Sequence, residues 1–265
     1  SVYFDDIDIF SLSSSELKKW RQKAQIIFQD PYASLNPRMT IEDIIVEPLK
    51  IHGIKDSPEI IIAAMNQVGL NPEHRWKYPH EFSGGQRQRI GIARALILNP
   101  RLIICDEPIT ALDVSVQAQI VNLLKDLQQK LGLTYLFISH DLRMVKYIAD
   151  HVAVMYLGKI VEEGPTDQVF TNPQHPYTKT LLSAIPTIEK IKPQPALLGE
   201  LPSPLRPPSG CTFSTRCPHA THLCKLQAPL LTTLPQGQKV ACHLYDVKLA
   251  SPNPSMLSAT SGVKK

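Results

Sequence analysis

The chain has 265 residues, of which 43% are hydrophobic and 20% charged, and its formal net charge is +4. That composition belongs to a globular protein with one good core and room for a smaller appendage, and it excludes a disordered or fibrous polypeptide. The surplus of positive charge is small and scattered, which argues against nucleic acid as a partner; no apolar run approaches a membrane span and the start has no signal-peptide pattern, so a soluble chain that meets a membrane only through a partner is expected.

The first residue is Ser1, and the chain reads as if it opens in mid-domain. Val2-Tyr3-Phe4 and Ile7-Asp8-Ile9 are strand-like, and Ser15-Glu16-Leu17-Lys18-Lys19-Trp20 begins a helix. Gln25-Ile26-Ile27-Phe28 is an apolar run suited to a buried strand that delivers Gln29 to its end. Asp30 to Arg38, broken by Pro31 and Pro37, is loop. Thr40-Ile41-Glu42-Asp43 has the form of a capping box, and Ser57-Pro58 opens a second helix that stops at Gly69. Ser83 then caps a helix that starts at Gly84-Gly85-Gln86. Glycines without a Cβ, at the positive end of a helix, favour an anionic group such as a phosphate. An ordinary flexible Ser-Gly-Gly loop has the same three residues, so the tripeptide alone decides nothing.

Asn99-Pro100 ends that helix, and Leu102-Ile103-Ile104-Cys105 is a continuous apolar run, the pattern of a central parallel strand covered on both faces. Cys105 is read as a small buried hydrophobe. The run ends in Asp106-Glu107-Pro108. Adjacent carboxylates at the end of a buried strand are costly unless a cation or water meets them, and in open α/β sheets ligands sit beyond such ends. Val116, Ile120, Leu123, Leu124, Leu127 and Leu131 stripe a helix closed by Gly132, and Thr134 to Ser139 is a second buried strand, giving a right-handed βαβ unit. His140 stands at its tip, on the sheet edge that also receives Asp106 and Glu107. From His151 to Gly164, alternating segments around Leu157-Gly158-Lys159 read as a hairpin that finishes the domain.

Five of these stretches stand in the order found in ABC-type ATPases. Phe82-Ser83-Gly84-Gly85-Gln86, running on to Ala93-Arg94-Ala95-Leu96, resembles the signature motif of that family, with Phe82 where leucine is usual. Gln29 and its loop resemble the Q-loop, Leu102 to Glu107 the Walker B motif, Thr110-Ala111-Leu112-Asp113 the D-loop, and His140 the switch histidine. Chance agreement of five motifs at compatible spacings is remote. The resemblance implies an α/β fold: a P-loop NTPase-like ABC ATPase domain over residues 1–168, incomplete at its N-terminus, with an inserted helical signature subdomain over about 40–98. It implies ATP and Mg²⁺ as ligands. Ser83, Gly84, Gly85, Gln86 and Asp113 would touch ATP, Asp106 and Gln29 would hold Mg²⁺, and His140 would bond the γ-phosphate. Glu107 would orient or deprotonate the attacking water, with Gln29 reaching the same water.

The string from Phe28 to Arg38 is similar to the oligopeptide and dipeptide importer branch. That branch implies an ATPase subunit, peripheral at the cytoplasmic face of a bacterial inner membrane, that energises peptide import. Its implied partners are a second, homologous ATPase subunit in a head-to-tail heterodimer and two membrane permease subunits touched by the loop after Gln29. An extracytoplasmic peptide-binding protein acts indirectly, and nucleic acid is not a partner. In the head-to-tail arrangement, Ser83 to Gln86 faces ATP held by the other subunit. ABC ATPases of DNA repair carry a signature and a Walker B as well, but no long coiled coil separates the motifs here.

One family motif is absent: no G-x-x-x-x-G-K-[ST] stretch occurs, no glycine precedes Gly53, and Lys18 and Lys19 follow no glycine-rich loop. The family's order puts this Walker A motif upstream of Ser1, so an N-terminally truncated chain is expected. Because Walker A supplies backbone N–H groups and a lysine to the phosphates, the chain alone is expected neither to bind ATP tightly nor to hydrolyse it. The alternative is a non-catalytic fragment that only lends its signature to a partner ATPase.

After Gly164 the composition shifts, with prolines frequent from Pro173. Asn172-Pro173-Gln174-His175-Pro176-Tyr177-Thr178, followed by Leu181-Leu182, resembles the segment appended to peptide-importer ATPases, here an extension over 169–246. Four of the five cysteines cluster in it, Cys211, Cys217, Cys224 and Cys242. In an intracellular protein such a cluster argues for metal, and four thiolates suit a tetrahedral zinc or a [4Fe–4S] cluster. A similar pattern in peptide-importer ATPases favours iron–sulfur, with zinc as the alternative. His219, His222 and His243 rank below the cysteines as ligands. Residues 247–265, rich in Ser, Ala and Pro, read as a disordered tail.

Overall fold

Three parallel strands organise the first of the two units, Ser1–Ile148 and Ala149 onward, of the computed structural model, which describes residues 1–185, 200 and 202–246. The chain opens with a hairpin, β1 (Tyr3–Phe4) against β2 (Ile7–Asp8), turned by Asp5 and Asp6. α1 (Ser14–Lys23) begins with Ser13 and Glu16 in a reciprocal capping box. β3 (Ala24–Ile27) follows directly.

The helical insert consists of α2 (Ile41–His52), α3 (Pro58–Gln67) and α4 (Gly84–Leu96). Thr40 caps α2 by accepting the Asp43 N–H at 3.2 Å, but the expected reciprocal bond is missing: the Asp43 carboxylate accepts instead from the Thr40 hydroxyl (2.7 Å) and Lys50. Aspartate is one methylene shorter than the glutamate that reaches back in a full box. β4 (Leu102–Asp106), α5 (Val114–Leu131, ending at Gly132 with φ 65°), β5 (Thr134–Ile138) and α6 (Leu142–Ile148) complete the unit.

The sheet order is β3-β4-β5, all parallel, with Ile27 beside Cys105 and Cys105 beside Phe137. Both crossovers step across the sheet in the same direction. Right-handed connections then put their helices on one face. Burial follows that rule: Ile27, Ile103 and Cys105 are buried beneath the helices, while on the opposite face Ile26, Leu136 and Ile138 are 36%, 54% and 45% exposed. The expectation of strands covered on both faces is thus corrected among the described residues, because a three-stranded sheet with one-way crossovers covers one side. α5 buries Ile120, Val121, Leu124 and Leu127, whereas Leu131, expected in the stripe, is exposed in its last turn.

The second unit begins with a hairpin of β6 (His151–Tyr156) and β7 (Lys159–Pro165). Leu157 and Gly158 have φ 46° and 74°, the two positive values a tight twisted hairpin turn requires. α7 (Thr166–Thr171), α8 (Pro176–Ser183), α9 (His222–Leu226), β8 (Thr232–Thr233) and β9 (Lys239–Val240) follow. The hairpin heads an antiparallel sheet of order β6-β7-β9-β8, with Glu162 opposite Val240, in the unit that begins at Ala149. The buried Glu162 carboxylate accepts the backbone N–H groups of Gln174 (2.7 Å) and His175 (2.9 Å), tying the start of α8 to this sheet. The tail expected from residue 247 lies outside the described residues, as do residues 186–199 of the extension. No helix among the described residues is long and apolar enough to cross a membrane.

The one-sided core has a direct test. Ile103→Ala, at the buried centre of β4, is expected to cost about 2–5 kcal/mol. Leu136→Thr, on the bare face, is expected to change stability by less than about 0.5 kcal/mol. Urea unfolding of the two variants measures both, and equal losses contradict the arrangement.

Candidate active site at the sheet edge

The strands release their chemistry-bearing residues at one edge. Gln29 lies two residues beyond β3, Asp106 is the last residue of β4 with Glu107 next, and His140 lies two residues beyond β5. Three side chains converge on the Glu107 carboxylate. Gln29 Nε2 donates to Oε2 at 2.9 Å, the Thr110 hydroxyl donates to the same oxygen at 2.9 Å, and His140 Nδ1 lies 3.3 Å from Oε1. Thr110's hydrogen bond, helped by His140, holds the Glu107 carboxyl below the usual carboxylate range. Glu107 itself has φ 44°, in the left-handed region that a non-glycine residue enters at a cost of about 1–3 kcal/mol. Its backbone N–H is anchored on the Ile138 carbonyl at 3.0 Å. Asp106 pairs with Ile138 in the sheet register and is half-buried.

Sequence reasoning gave Thr110 no role of its own. The available signal was its spacing: a hydroxyl three residues after Glu107, across the turn in which the Thr110 N–H meets the Glu107 carbonyl at 3.3 Å.

The signature stretch forms the start of α4, not part of the Glu107 cluster. Ser83 caps the helix, accepting the Gln86 N–H, and Gln86 Oε1 accepts the Ser83 N–H at 3.0 Å. The glycines serve a close approach within the chain: a Cβ on Gly85 would stand 2.5 Å from Val116 Cγ1, and one on Gly84 3.3 Å from Leu112 Cδ2. Valine is stiff at χ1, so an alanine at 85 forces backbone movement. Asp113 is the exposed N-cap of α5 at this same corner and makes no side-chain capping bond. The loop after Gln29 is fastened to α4 by two arginines: Arg87 stacks over Tyr32 (4.0 Å to the ring centroid) and Arg94 Nη1 donates to the Ser34 carbonyl at 2.6 Å.

In the second unit, Cys211, Cys217, Cys224 and Cys242 all line one cavity of about 150 Å³, together with His175 and Phe213. Three of the thiols receive backbone N–H groups: Cys211 from Phe213 and Ser214, Cys217 from His219, and Cys242 from Leu244. Cys224 Sγ receives the Thr221 N–H at 3.5 Å. Burial pushes the thiols of Cys211, Cys217 and Cys242 up, the last to about 11. His219 and His243 also line the cavity, and His243 Nε2 is engaged with the Gln227 carbonyl at 2.9 Å. Among the described residues no three His, Cys, Asp or Glu side chains are gathered as a group that could hold a metal ion, which applies to the cysteines and to Asp106 alike.

A family model described as ABC transporter matches residues 1–110, and one described as oligopeptide/dipeptide transporter, C-terminal region, matches residues 161–224. AppF of Bacillus subtilis, an oligopeptide transport ATP-binding protein, is 52% identical over 252 residues, 92% of this chain and 77% of AppF. The chain belongs to the oligopeptide and dipeptide branch of the ABC transporter family.

Solved ABC structures share its fold. CbiO1 from Clostridium perfringens, part of the ABC transporter complex cbiONQ, is 29% identical with a TM-score of 0.57, over 64% of this chain and 67% of its own. The ATP-binding cassette MJ0796, in a dimeric post-hydrolysis state bound to ADP and Pi, is 29% identical with a TM-score of 0.54, over 62% and 72%. Gln29, Thr110 and His140 are thus gathered on the Glu107 carboxylate, while Ser83 to Gln86 and Asp113 occupy a separate corner.

Thr110→Val removes the largest contribution that lowers the Glu107 carboxyl. The Glu107 pKa is expected to rise toward its ordinary value, read by carbon-detected NMR titration of the side chain. An unchanged titration contradicts the role assigned to Thr110.

Proposed function

We propose that this chain is the ATP-hydrolysing subunit of an importer of oligopeptides or dipeptides, peripheral at the cytoplasmic face of the membrane. The observation that carries the reading is the convergence of Gln29, Thr110 and His140 on Glu107. Held below the usual range, that carboxylate is ionised at neutral pH. It acts by orienting the attacking water and accepting its proton as the bond to the γ-phosphorus forms. Gln29 and Thr110 both occupy Oε2, so the water's place is on the Oε1 side. His140, with 70% of its side chain exposed, is the neighbour there that is free to turn toward a phosphate oxygen. Asp106 and Gln29 would hold Mg²⁺, which neutralises charge on the transferring phosphoryl group and needs only one or two protein oxygens beside phosphates and waters.

The complete site needs a second ATPase subunit. The start of α4, with Ser83 and Gln86 at its cap, offers a helix N-terminus to ATP held by that subunit, and Asp113 lies at the same corner. The loop from Gln29, with Tyr32 exposed, is the surface offered to the membrane permease subunits, and the extracytoplasmic peptide-binding protein acts through them. The alternative of a fragment that only lends its signature has no comparison in its favour: AppF, similar across most of this chain, is an ATP-binding protein.

We further infer that the four cysteines hold a [4Fe–4S] cluster, with zinc as the alternative. What supports the reading is that four thiols line one cavity and each is met by a backbone N–H. Such a cluster supplies structural cross-linking or one-electron transfer.

The composite-site reading is tested in the assembled transporter. Ser83→Arg puts a long cation into the helix start and is expected to lower ATP turnover at the partner's site by at least about tenfold, roughly 1.4 kcal/mol of transition-state stabilisation, with an unchanged melting temperature. Undiminished turnover contradicts it.

A further inference from the structure

The positive surplus of the chain is small, but the fold does not spread it evenly. α1 carries Lys18, Lys19, Arg21 and Lys23 against one acid, Glu16, so its ten residues hold +3 of the chain's net +4. Glu16 is already committed to the cap of the helix, where its carboxylate accepts the Ser13 N–H at 2.9 Å. All four cations are exposed, and none forms an ion pair among the described residues. Lys50, Arg75, Arg101, Arg143 and Lys239, by contrast, each have a carboxylate partner.

Helix geometry gathers these charges on one side. At about 100° per residue, the half-buried Leu17 and Trp20 share the inward face, with the Trp20 ring edge-on to Phe4 at 5.9 Å. Lys18, Lys19, Gln22 and Lys23 share an arc of about 140° on the opposite side, and Arg21 flanks it. Lys19 and Lys23 are like charges four residues apart, which weakens a helix, so the arrangement does nothing for the fold. Lys18 reaches the end of α2: burial, with Lys18 adding to it, lowers the pKa of His52 there. Beside His52, Ile51 and Ile54 are 59% and 42% exposed, and Lys55 is exposed with them.

We propose that the outer face of α1 is a docking surface for the anionic lipid headgroups of a membrane, held by Lys18, Lys19 and Lys23. The chemistry of the face selects this occupant. Lysines are compact point charges suited to a diffuse sheet of phosphates, whereas planar bidentate recognition of a carboxylate on a protein partner favours arginine. The one aromatic residue of the helix, Trp20, is turned inward, so the face offers no stacking platform for nucleic-acid bases. Exposed aliphatic side chains next to the cations suit the boundary of headgroups and acyl chains. The inference adds a direct lipid contact to the peripheral placement proposed above, and it rests on the charge of α1, not on the chemistry at Glu107.

The test is co-sedimentation of the 265-residue chain with sucrose-loaded vesicles of phosphatidylcholine, with and without about 30% phosphatidylglycerol. Binding to the anionic vesicles only is expected, and raising the salt to about 0.5 M is expected to abolish it. Each cation near an anionic surface is worth about fivefold in partition, so Lys18→Gln/Lys19→Gln/Lys23→Gln is expected to bind about a hundredfold more weakly. The change is on an exposed face and glutamine is a good helix former, so the melting temperature is expected to hold. Lys130→Gln/Lys159→Gln/Lys225→Gln removes the same charge from exposed positions elsewhere and is expected to lose less than about threefold. Four results overturn the proposal: no binding by the wild type, equal binding to neutral vesicles, an α1 variant that binds like the wild type, or a control variant that loses as much as the α1 variant. An α1 variant that keeps its vesicle binding but no longer co-purifies with the permease subunits also overturns it, and assigns the face to an acidic permease segment. None of these outcomes bears on ATP hydrolysis, so the inference fails separately from the function proposed above.

Discussion

The in-register parallel alignment of β3, β4 and β5 is the constraint on which the first unit depends. Ile27, Cys105 and Phe137 stand side by side, so the strands end together and release Gln29, Glu107 and His140 at one edge. A slip of one residue in β4 would turn Ile103 and Cys105 out of the core and carry Glu107 about 3.3 Å along the strand, away from both neighbours. Core packing and the assembly of the site are therefore one requirement. The hydrophobic lead-in to Asp106 enforces the register, and the register delivers the carboxylates.

Strain at Glu107 belongs to the same arrangement. Its left-handed backbone costs about 1–3 kcal/mol, and it is held where the Ile138 carbonyl at the end of β5 takes its N–H. Hydrogen bonds to a charged group contribute about 1.5–3 kcal/mol each in partly sheltered sites, so those from Gln29 and Thr110 are of the size needed to offset it. Gln29 is in turn followed by a loop fastened to α4 through Tyr32 and Ser34. Displacement of that loop thus bears on the Glu107 carboxylate and on the signature helix together.

Much of this was legible in the sequence, for physical reasons. Apolar runs ending in Gln29, Asp106-Glu107 and His140 announce strands with polar tips, and Ser83 with Gln86 announces a capped helix. The burial of the strands was misread because an apolar run does not reveal whether one face or two is covered; connection direction decides that, and it is a property of the whole topology. The pairing of β7 with β9 joins residues far apart in sequence, which no local pattern shows. Thr110 and the two arginines that grip the Gln29 loop were missed for the same reason, since their partners are set by the fold. The close approach of Leu112 and Val116 to Gly84 and Gly85 was not legible, because it is set by the fold. The four cysteines were seen as a cluster from spacing alone, and they do share one cavity.

The central claim is that Glu107 is the group that activates water for ATP hydrolysis. Glu107→Gln keeps the hydrogen-bonding shape of the side chain and removes its charge and basicity. In the assembled transporter, single-turnover phosphate release from radiolabelled ATP, measured beside nucleotide retention, separates chemistry from binding. The account predicts retained ATP with phosphate release slowed at least about a hundredfold, the scale of a lost general base. Phosphate release at the wild-type rate with ATP bound would contradict it.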